Sequence, residues 1–363
     1  MATAAPALAL GRPEPANAPG VSLTRWHLEC PVGAASFTAD GRHAAFGLAD
    51  GTVRLVALDL FSARRMTASV VHDDPVCEVV ADPATGGVFS LGRDGRAMAM
   101  DARGYVSEVH EPSSDEDAAR AIAAGVSGLR AIVTPEQAIL YDRAGNKAAS
   151  HRHRGGTSVS FDPAGRRLAI AGDGEVALYC LADRAGTGRD VRFPCASAPK
   201  RIAWAPDGAR LAAAPETPAV PCWHLDDEQS ERPVSYFGRA FIIAWSHDGR
   251  HLVGAGDGSL LCWNADRAFG RRTWFVPRAL APMSGCRVTA LACHPAHALA
   301  AAGYDDGCIM LADLDTGRDK VVRHANGAAV TALAWSDCGG RLAAANNDCE
   351  ASLLDFSRLT RSH

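Results

Sequence analysis

The sequence predicts an all-β fold built from repeated units of short strands, and an internal repeat is the first observation behind this prediction. The run at residues 288–317 returns forty-two residues later, at residues 330–355, with much the same order of apolar, small and turn-forming residues. A repeat of this period is typical of solenoids and propellers, whose neighbouring units bury their apolar faces against each other. Repeats of this kind favour a scaffold over an enzyme.

A recurring turn signal is the second observation, and it gives the number of units. An Asp-Gly pair between two short apolar runs indicates a tight connection between strands. It occurs at Asp50-Gly51, Asp94-Gly95, Asp173-Gly174, Asp257-Gly258 and Asp306-Gly307, with an altered copy at Asp348-Cys349. The successive gaps are 44, 79, 84, 49 and 42 residues, so each of the two large gaps hides one further copy. Turn residues at 135–137 and 215–218 fill those places, which predicts eight units, with seven as the alternative.

The order of strands within a unit is the third observation. Each copy has an apolar strand (a), a turn rich in Asp, Pro and Gly, a second strand (b), the Asp-Gly turn and a third strand (c), as in residues 202–214 and 243–264. A more polar segment follows most copies and predicts an outer strand (d), at residues 63–71, 105–111, 189–194, 271–277 and 320–324. Four short strands at this spacing are typical of the blade of a β-propeller.

The two ends of the chain complete the predicted ring. Too few residues follow the eighth copy to form its d strand, whereas residues 21–29 form a spare strand before the first copy. Pairing of this strand with the last c strand, at residues 351–356, removes two exposed sheet edges that otherwise invite aggregation. The sequence therefore predicts an eight-bladed β-propeller of four-stranded antiparallel blades over residues 21–357, closed by the N-terminal strand. Residues 1–20 are predicted to be a disordered tail, and residues 358–363 a C-terminal tail.

These patterns resemble the WD-repeat β-propeller family. Its repeat runs from a strand through an S-P-D-G turn, a strand ending in small residues and a D-G turn to a strand ending in Trp-Asp. The nearest matches are AWAPDGARLAAA, AWSHDGRHLVGAGDGSLLCWN and AWSDCGGRLAAANND, at residues 203–214, 244–264 and 334–348. The resemblance covers residues 21–356, and it implies a rigid, non-catalytic scaffold for protein–protein interaction.

The chain departs from the family pattern in two respects. The Trp that closes strand c is present only at Trp223 and Trp263. The family's hydrogen-bond network of His, Ser or Thr, Asp and Trp is nowhere complete. Its nearest copy is His72, Ser90 and Asp94, with a methionine at 98 or 100 where the Trp would stand. The resemblance therefore implies the fold and the scaffold role, but no function of a particular subfamily.

Composition and charge exclude several classes of protein. With 37 basic and 41 acidic residues the formal net charge is −4, whereas proteins that bind nucleic acid tend to carry a basic face. No apolar run approaches the roughly 20 residues that cross a bilayer. Residues 1–20 lack the positive start of a secretion signal, and Pro6 breaks their apolar stretch. We therefore predict a cytoplasmic monomer whose partners are proteins, not nucleic acid or membrane.

Residue types that form metal and catalytic sites are present, but not in the required patterns. None of the 11 cysteines forms C-x-x-C, and a long chain without a secretion signal normally keeps its thiols reduced. His294 with His297, and His247 with His251, fall in a–b turns rather than on one helix face. No nucleophile elbow, P-loop or dinucleotide fingerprint is present. The sequence predicts no disulfide, no bound metal, no cofactor and no enzyme activity.

One alternative stays open, in which the central channel binds a small molecule or a metal and the protein is a propeller enzyme or sensor. Residues 312–320 slightly resemble the docking motif of eight-bladed quinone-dependent dehydrogenases, but the Trp of that motif is missing. An enzyme would bring several charged groups together in the channel. The a strands of this chain instead predict a lining of mostly Ala, Gly and Val.

Candidate partner contacts follow from loop positions, because loops on a rigid scaffold commonly carry binding. We predict binding on the face formed by the b–c turns and the d–a connections. The candidates are Arg93, Gln137, Glu216, Tyr304, Asp305 and Asn347 from the turns, Arg278 from a basic-aromatic insert at 264–285, and His72 from a connection. The rival surfaces are the insert itself and the opposite face, where the a–b turns end in Arg42, Arg166, Arg167, Arg210, Arg250 and Arg341.

Overall fold

The structure is a computed structural model, and it describes residues 13–15, 20–58, 66–181, 191–214, 216–225, 234–237, 240–265 and 274–357. These residues form eight antiparallel four-stranded sheets, two of which gain a fifth strand. The innermost strands of neighbouring sheets contact each other in an unbroken circle, so the sheets are the blades of a closed ring around a channel. The predicted eight-bladed propeller is confirmed, and the seven-bladed alternative is wrong.

The described part of the chain contains no helical segment with the length and apolar character that crossing a bilayer requires.

In blades 1 to 4 the strands a to d follow each other along the chain. Blade 1 comprises β3 (Val32–Phe37), β4 (His43–Leu48), β5 (Thr52–Ala57) and β6 (Met66–Val70). Blade 2 comprises β7 (Val76–Asp82), β8 (Gly87–Gly92), β9 (Ala97–Met100) and β10 (Val106–His110). Blade 3 comprises β11 (Ala121–Ala124), β12 (Arg130–Val133), β13 (Gln137–Tyr141) and β14 (Lys147–Arg152). Blade 4 comprises β15 (Ser158–Phe161), β16 (Arg167–Gly172), β17 (Glu175–Cys180) and β18 (Val191–Pro194).

Blades 5 to 8 include the two five-stranded sheets. Blade 5 comprises β19 (Arg201–Trp204), β20 (Arg210–Ala214), β21 (Ala219–His224) and β22 (Val234–Phe237), with β26 (Trp274–Phe275) outside it. Blade 6 comprises β23 (Ile243–Trp245), β24 (His251–Ala255), β25 (Leu260–Asn264) and β27 (Arg278–Leu280). Blade 7 comprises β28 (Val288–Cys293), β29 (Leu299–Tyr304), β30 (Ile309–Asp313) and β31 (Asp319–Arg323). Blade 8 comprises β32 (Val330–Trp335), β33 (Arg341–Asn346), β34 (Glu350–Asp355) and β2 (Ser22–His27), with β1 (Pro13–Pro15) outside it.

The apolar core lies between the blades, because each sheet packs both of its faces against its neighbours. Strand β33 illustrates this, since it is buried without interruption from residue 342 to 346. Strands covered on both faces carry continuous apolar runs in place of an alternating pattern. The small side chains of Ala343, Ala344 and Ala345 let adjacent blades approach closely, and this explains the alanine-rich b strands of the repeat.

The ring closes as predicted, through β2. This strand pairs antiparallel with β34 in a continuous register in which Leu23 faces Leu354 and Trp26 faces Ala351. Leu23 and Trp26 are both buried, at 2% and 4% exposure. Strand β1 then pairs with β2, although it falls within the segment predicted to be a disordered tail. The rest of that segment before residue 20, and the predicted C-terminal tail, lie outside the described residues.

The predicted d strand of blade 6 at residues 271–277 is wrong. The d strand is instead β27, whereas β26 pairs in parallel with β22 and so extends blade 5. Pro277 separates the two strands, and because it lacks a backbone N–H it cannot continue a ladder. Part of the basic-aromatic insert therefore ties blade 6 to blade 5, while residues 266–273 lie outside the described part. The other predicted d strands are confirmed where the structure describes them.

Tryptophan and arginine side chains connect blades 4, 5 and 6 in a repeated arrangement. The indole Nε1 of Trp204 and of Trp245 each donates to a carbonyl of the preceding a strand, at 3.2 and 3.1 Å. The guanidinium groups of Arg167 and Arg210 each lie 4.9 Å from the centre of the next blade's indole ring. Such cation–aromatic contacts contribute more when they are desolvated. Two of the arginines that recur at the a–b turns are therefore part of the packing between blades.

A buried ion pair joins blades 7 and 8. Arg323 is 1% exposed, and its guanidinium donates to the carboxylate of Glu350 at 3.1 Å and to the Ser352 hydroxyl at 3.2 Å. Two further N–H groups of Arg323 donate to the Gly307 carbonyl, at 3.0 and 2.9 Å. Because a buried charge is costly without partners, this complete set of hydrogen bonds makes the interface tolerate the guanidinium.

We expect removal of the closing strand to destabilise the ring. Deletion of residues 1–29 exposes the outer edge of β34 and the surface that Trp26 and Leu23 cover, at a cost of about 2 kcal/mol for each side chain. The melting temperature should fall by roughly 5–10 °C, and the exposed edge should promote association. Scanning fluorimetry and light scattering measure the two effects. Deletion of residues 1–12 is the matched control, and equal melting temperatures for both deletions would contradict closure by β2.

We expect Arg323→Met to lower the free energy of unfolding by about 3–5 kcal/mol, because it leaves the buried Glu350 carboxylate without its partner. The nearest remaining cation is Arg25, at 4.0 Å from Glu350. Adding Glu350→Leu should recover most of the loss, since two apolar groups need no pairing. Urea unfolding measures both variants. Arg318→Met, at an exposed position of the same blade, is the control, and a loss no larger than the control's would refute the role of the pair.

Candidate functional site

The loops of the ring lie on two faces. Successive strands run antiparallel, so the b–c turns and d–a connections meet at one end of the channel, and the a–b and c–d connections meet at the other. We name the first surface the bc/da face and the second the ab/cd face. The b–c turns are at residues 49–51, 93–96, 134–136, 173–174, 216–218, 256–259, 305–308 and 347–349, and Gln137 begins the c strand directly after its turn. The described d–a connections are at residues 28–31, 71–75, 111–120, 153–157, 195–200, 240–242, 281–287 and 324–329.

An aspartate holds the b–c turns of blades 1, 2 and 7. In blade 7 the carboxylate of Asp306 accepts the backbone N–H of Cys308 at 2.8 Å, and in blade 2 Asp94 accepts that of Arg96 at 3.0 Å. The residue after the aspartate is a glycine with positive φ, such as Gly307 at 91°, a conformation that L side chains rarely adopt. With these two positions fixed, the residue before the aspartate projects from the bc/da face.

Five of the eight predicted contacts lie on the bc/da face with accessible side chains. Arg93, Glu216 and Asn347 are exposed, while Gln137 and Asp305 are half-buried. Each comes from a different blade, so together they surround the mouth of the channel instead of forming one compact patch. Their placement agrees with the sequence, and their role in binding stays a prediction.

Tyr304 lies at the end of a b strand, but its side chain does not reach solvent. It is fully buried among the apolar residues between blades 6 and 7. Its hydroxyl donates to the carbonyl of Ala281, one of two non-glycine residues of the described chain with positive φ. Burial raises the pKa of the hydroxyl above its usual range. The prediction of Tyr304 as a partner contact is therefore corrected, because this side chain fixes the connection between two blades.

His72 is also buried, at 2% exposure. Its Nε2 lies 2.9 Å from the Ser90 hydroxyl, and its Nδ1 lies 3.3 Å from the Asp94 carboxylate. The Ser90 hydroxyl also lies 3.3 Å from the backbone carbonyl of Met98, in strand c of the same blade. Burial lowers the pKa of His72, and the Asp94 charge opposes that shift. His72 therefore connects blades 1 and 2 and is not a contact residue.

Arg278 lies near the ab/cd face. It begins β27, and its guanidinium donates to the backbone carbonyls of Leu314 and Asp315 in the c–d turn of blade 7. The d strand starts at the ab/cd end of its blade, and this topology explains the position. The prediction that Arg278 contributes to the bc/da face is therefore wrong.

Three accessible side chains on the bc/da face were not predicted. Lys200 pairs with Glu216 at 2.8 Å, Arg287 lies 3.8 Å from Asp305, and Phe241 is 43% exposed. Each lies one or two residues before an a strand, in a d–a connection. That position in the sequence could have indicated that these side chains lie on the bc/da face. Exposed ion pairs contribute little to stability, and such groups can exchange partners at small cost.

The described residues offer no assembled metal site. Both nitrogens of His294 are engaged: Nδ1 accepts the backbone N–H groups of Ala296 and His297 at 3.0 Å each, and Nε2 donates to the Gly339 carbonyl at 3.1 Å. Among the described residues, no three His, Cys, Asp or Glu side chains converge as metal ligands would. All eleven cysteines are free thiols. The absence of a metal and of disulfides in the purified protein stays a prediction.

The channel is less uniform than the sequence suggested. Small half-buried residues such as Ala35, Ala203 and Ala244 contribute to the a strands, as expected. However, Arg201 of blade 5 reaches Glu78 of blade 2, with 2.7 Å between Nη1 and Oε1. The prediction of a lining of mostly Ala, Gly and Val therefore missed one ion pair, which connects blades that are not neighbours.

Comparisons with known proteins agree with this geometry. Residues 241–264 and 280–313, which belong to blades 6 and 7, match the family model WD40, described as WD domain, G-beta repeat. These two stretches are similar to WD repeats. The C-terminal WD40 domain of Sif2 is similar to this chain with a TM-score of 0.70 at 13% sequence identity, over 91% of this chain and 97% of that chain. The computationally designed Ika8 protein is similar with a TM-score of 0.70 at 19% identity, over 91% and 98%.

These two structural likenesses concern the fold alone, because so few residues are identical. A search of curated proteins finds no match to the sequence. The resemblance to WD-repeat propellers that the turns and strand order predicted is confirmed, and one of the two matched stretches contains both Trp263 and the regular Asp257-Gly258 turn.

The stability of this WD-repeat ring should decrease at mildly acidic pH. Burial lowers the pKa of His72, so below about pH 6.5 the unfolded chain binds a proton that the folded chain does not. Stability is therefore fully present above that pH and falls as the pH is lowered towards 5.5, by up to about 1.4 kcal/mol per pH unit for one proton. Urea midpoints at each pH measure this slope. Burial also lowers the pKa of His153, His251 and His294, so His72→Asn should reduce the slope by the contribution of one histidine. The exposed His27→Asn should leave the slope unchanged, and an unchanged slope in His72→Asn would contradict this account.

Proposed function

We propose that the protein is a non-catalytic scaffold and that its bc/da face binds one or more protein partners. The observation that carries this proposal is the accessible polar side chains from five blades that surround one mouth of a rigid ring. Asp94 and Asp306 hold the turns beside Arg93 and Asp305, and the side chain of Asn346 holds the turn that carries Asn347. These positions are fixed before binding, and a pre-ordered surface loses less conformational entropy on association. WD-repeat propellers in general mediate protein interactions, which supports the same reading of the fold.

The chemistry of this face suits a protein partner. Arg93, Arg287 and Phe241 belong to residue types that are enriched at interfaces and among hot spots. A stable complex needs about 800 Å² from each partner, so a partner must contact the loops of several blades. The net charge of −4 offers no basic field for nucleic acid. We further propose that the protein is a monomer in the cytoplasm, because that compartment keeps thiols reduced and the protein has eleven free cysteines.

The arginines of the opposite face are a weaker candidate, because most of them already have acidic partners. Arg167 contacts Asp162 at 3.2 Å, and Arg341 contacts Asp355 at 3.4 Å. The other paired arginines of this face are Arg210, with Asp207 at 2.9 Å, and Arg250, with Asp248 at 2.9 Å. Arg42 and Arg166 are exposed and provide a matched control for the experiment below.

We expect Arg93→Ala with Arg287→Ala to fold normally and to lose a partner that the wild-type protein captures. Loss of at least tenfold in affinity is expected if each arginine contributes about 1 kcal/mol or more. Affinity capture with chemical cross-linking and mass spectrometry identifies the partner and the contacting loops. The control is Arg42→Ala with Arg166→Ala. If the control abolishes capture while the first variant retains it, the proposed face is wrong.

A further inference from the structure

A cavity of about 370 Å³ lies in the channel beside blades 2 to 5. Its apolar wall consists of Val80, Ile122, Val126, Phe161 and Ile202. This volume falls within the range of small-molecule sites, which combine a mostly apolar wall with a few polar groups. The bc/da contacts proposed above are not among the residues that line it.

Two hydrogen-bond donors of the cavity lining, Arg201 and Ser158, lie together at one end. Arg201 and Ser158 are the first residues of the neighbouring a strands β19 and β15, so they lie at the same height near the bc/da end of the channel. Arg201 bonds to Glu78 through Nη1, and a guanidinium has five N–H donors in all. Ser158 is 6% exposed and lines the cavity, and its hydroxyl makes no hydrogen bond to any described residue.

The opposite end of the cavity contains the apolar residues Val126 and Pro163 together with Asp162, whose carboxylate pairs with Arg167. Val126 and Pro163 belong to a–b turns and therefore lie at the ab/cd end of the channel. Val126 is 64% exposed, which is unusual for a large apolar side chain beside a cavity. The cavity thus has a largely apolar end on the ab/cd side and accessible hydrogen-bond donors on the bc/da side, the arrangement that an amphipathic molecule matches.

We propose that this cavity binds a small amphipathic carboxylate, with its hydrocarbon chain along the apolar wall and its carboxylate on Arg201 and Ser158. The accessible charge is the cation, because the Arg201 side chain is 55% exposed whereas that of Glu78 is 20% exposed. Glu78 already shows the interaction that a ligand would make, since its carboxylate accepts from the same guanidinium. A ligand carboxylate competes with Glu78 for Arg201, and the Ser158 hydroxyl supplies a further donor.

Titration calorimetry of the full chain with octanoate tests the proposal through two opposite effects. Arg201→Gln should weaken binding at least tenfold, because it removes the cation. Glu78→Gln should tighten binding severalfold, because it removes the internal competitor. Lys200→Gln, which changes a neighbouring cation outside the cavity, should leave the affinity unchanged. Ala124→Phe should abolish binding by filling the cavity.

Neutral octanol and cationic octylamine separate charge recognition from general apolar binding, and both should bind at least tenfold more weakly than octanoate. Thermal melts establish that each variant is folded. The proposal is overturned if octanoate gives no saturable binding at millimolar concentration, if octanol binds equally well, or if Arg201→Gln and Glu78→Gln both keep the wild-type affinity.

Discussion

The antiparallel pairing of β2 with β34 is the interaction on which the rest of the ring depends. Apart from the ion pair of Arg201 with Glu78 across the channel, each blade packs against its two neighbours, so seven of the eight interfaces form between blades that follow each other in the chain. The eighth requires the two ends of the chain to meet, which costs about 5 kcal/mol of loop-closure entropy for a chain of this length. Burial of Leu23 and Trp26 on the closing strand offsets much of that cost.

Polar side chains at one repeated position, where strand d leads to the next blade, secure the bc/da side of the ring. His72 uses Ser90 and Asp94 there, and Arg323 uses Glu350. A further copy is His110, whose Nδ1 lies 3.0 Å from the Tyr141 hydroxyl and whose Nε2 lies 2.8 Å from the Asp117 carbonyl. At each of these positions a buried polar side chain connects two blades, but the residue and its hydrogen-bond partners differ from one position to the next. This variation explains why the family's network looks incomplete in the sequence while the loops of the bc/da face are still held.

Features that depend on the local repeat could be predicted from the sequence. The Asp-Gly turns, the order of the strands and the spare strand at 21–29 gave eight blades and their closure, because each is encoded within about forty residues. Contacts across the ring could not be predicted. The pair of Arg201 with Glu78 depends on the curvature of the ring, and the side chain of Tyr304 turns inward because the connection from the preceding blade offers a buried acceptor. The pairing of β26 with β22 of blade 5, in place of a strand of blade 6, likewise depends on the outer edge of another blade.

Hydrogen–deuterium exchange of the intact chain tests the closed ring most directly. If β2 and β34 complete blade 8, amides of residues 22–27 and 350–355 should exchange as slowly as those of interior strands such as β8, because all belong to one cooperative unit. Fast exchange of residues 22–27 beside slowly exchanging interior strands would mean that the ring is open, and would contradict the structural basis of the rigid binding face.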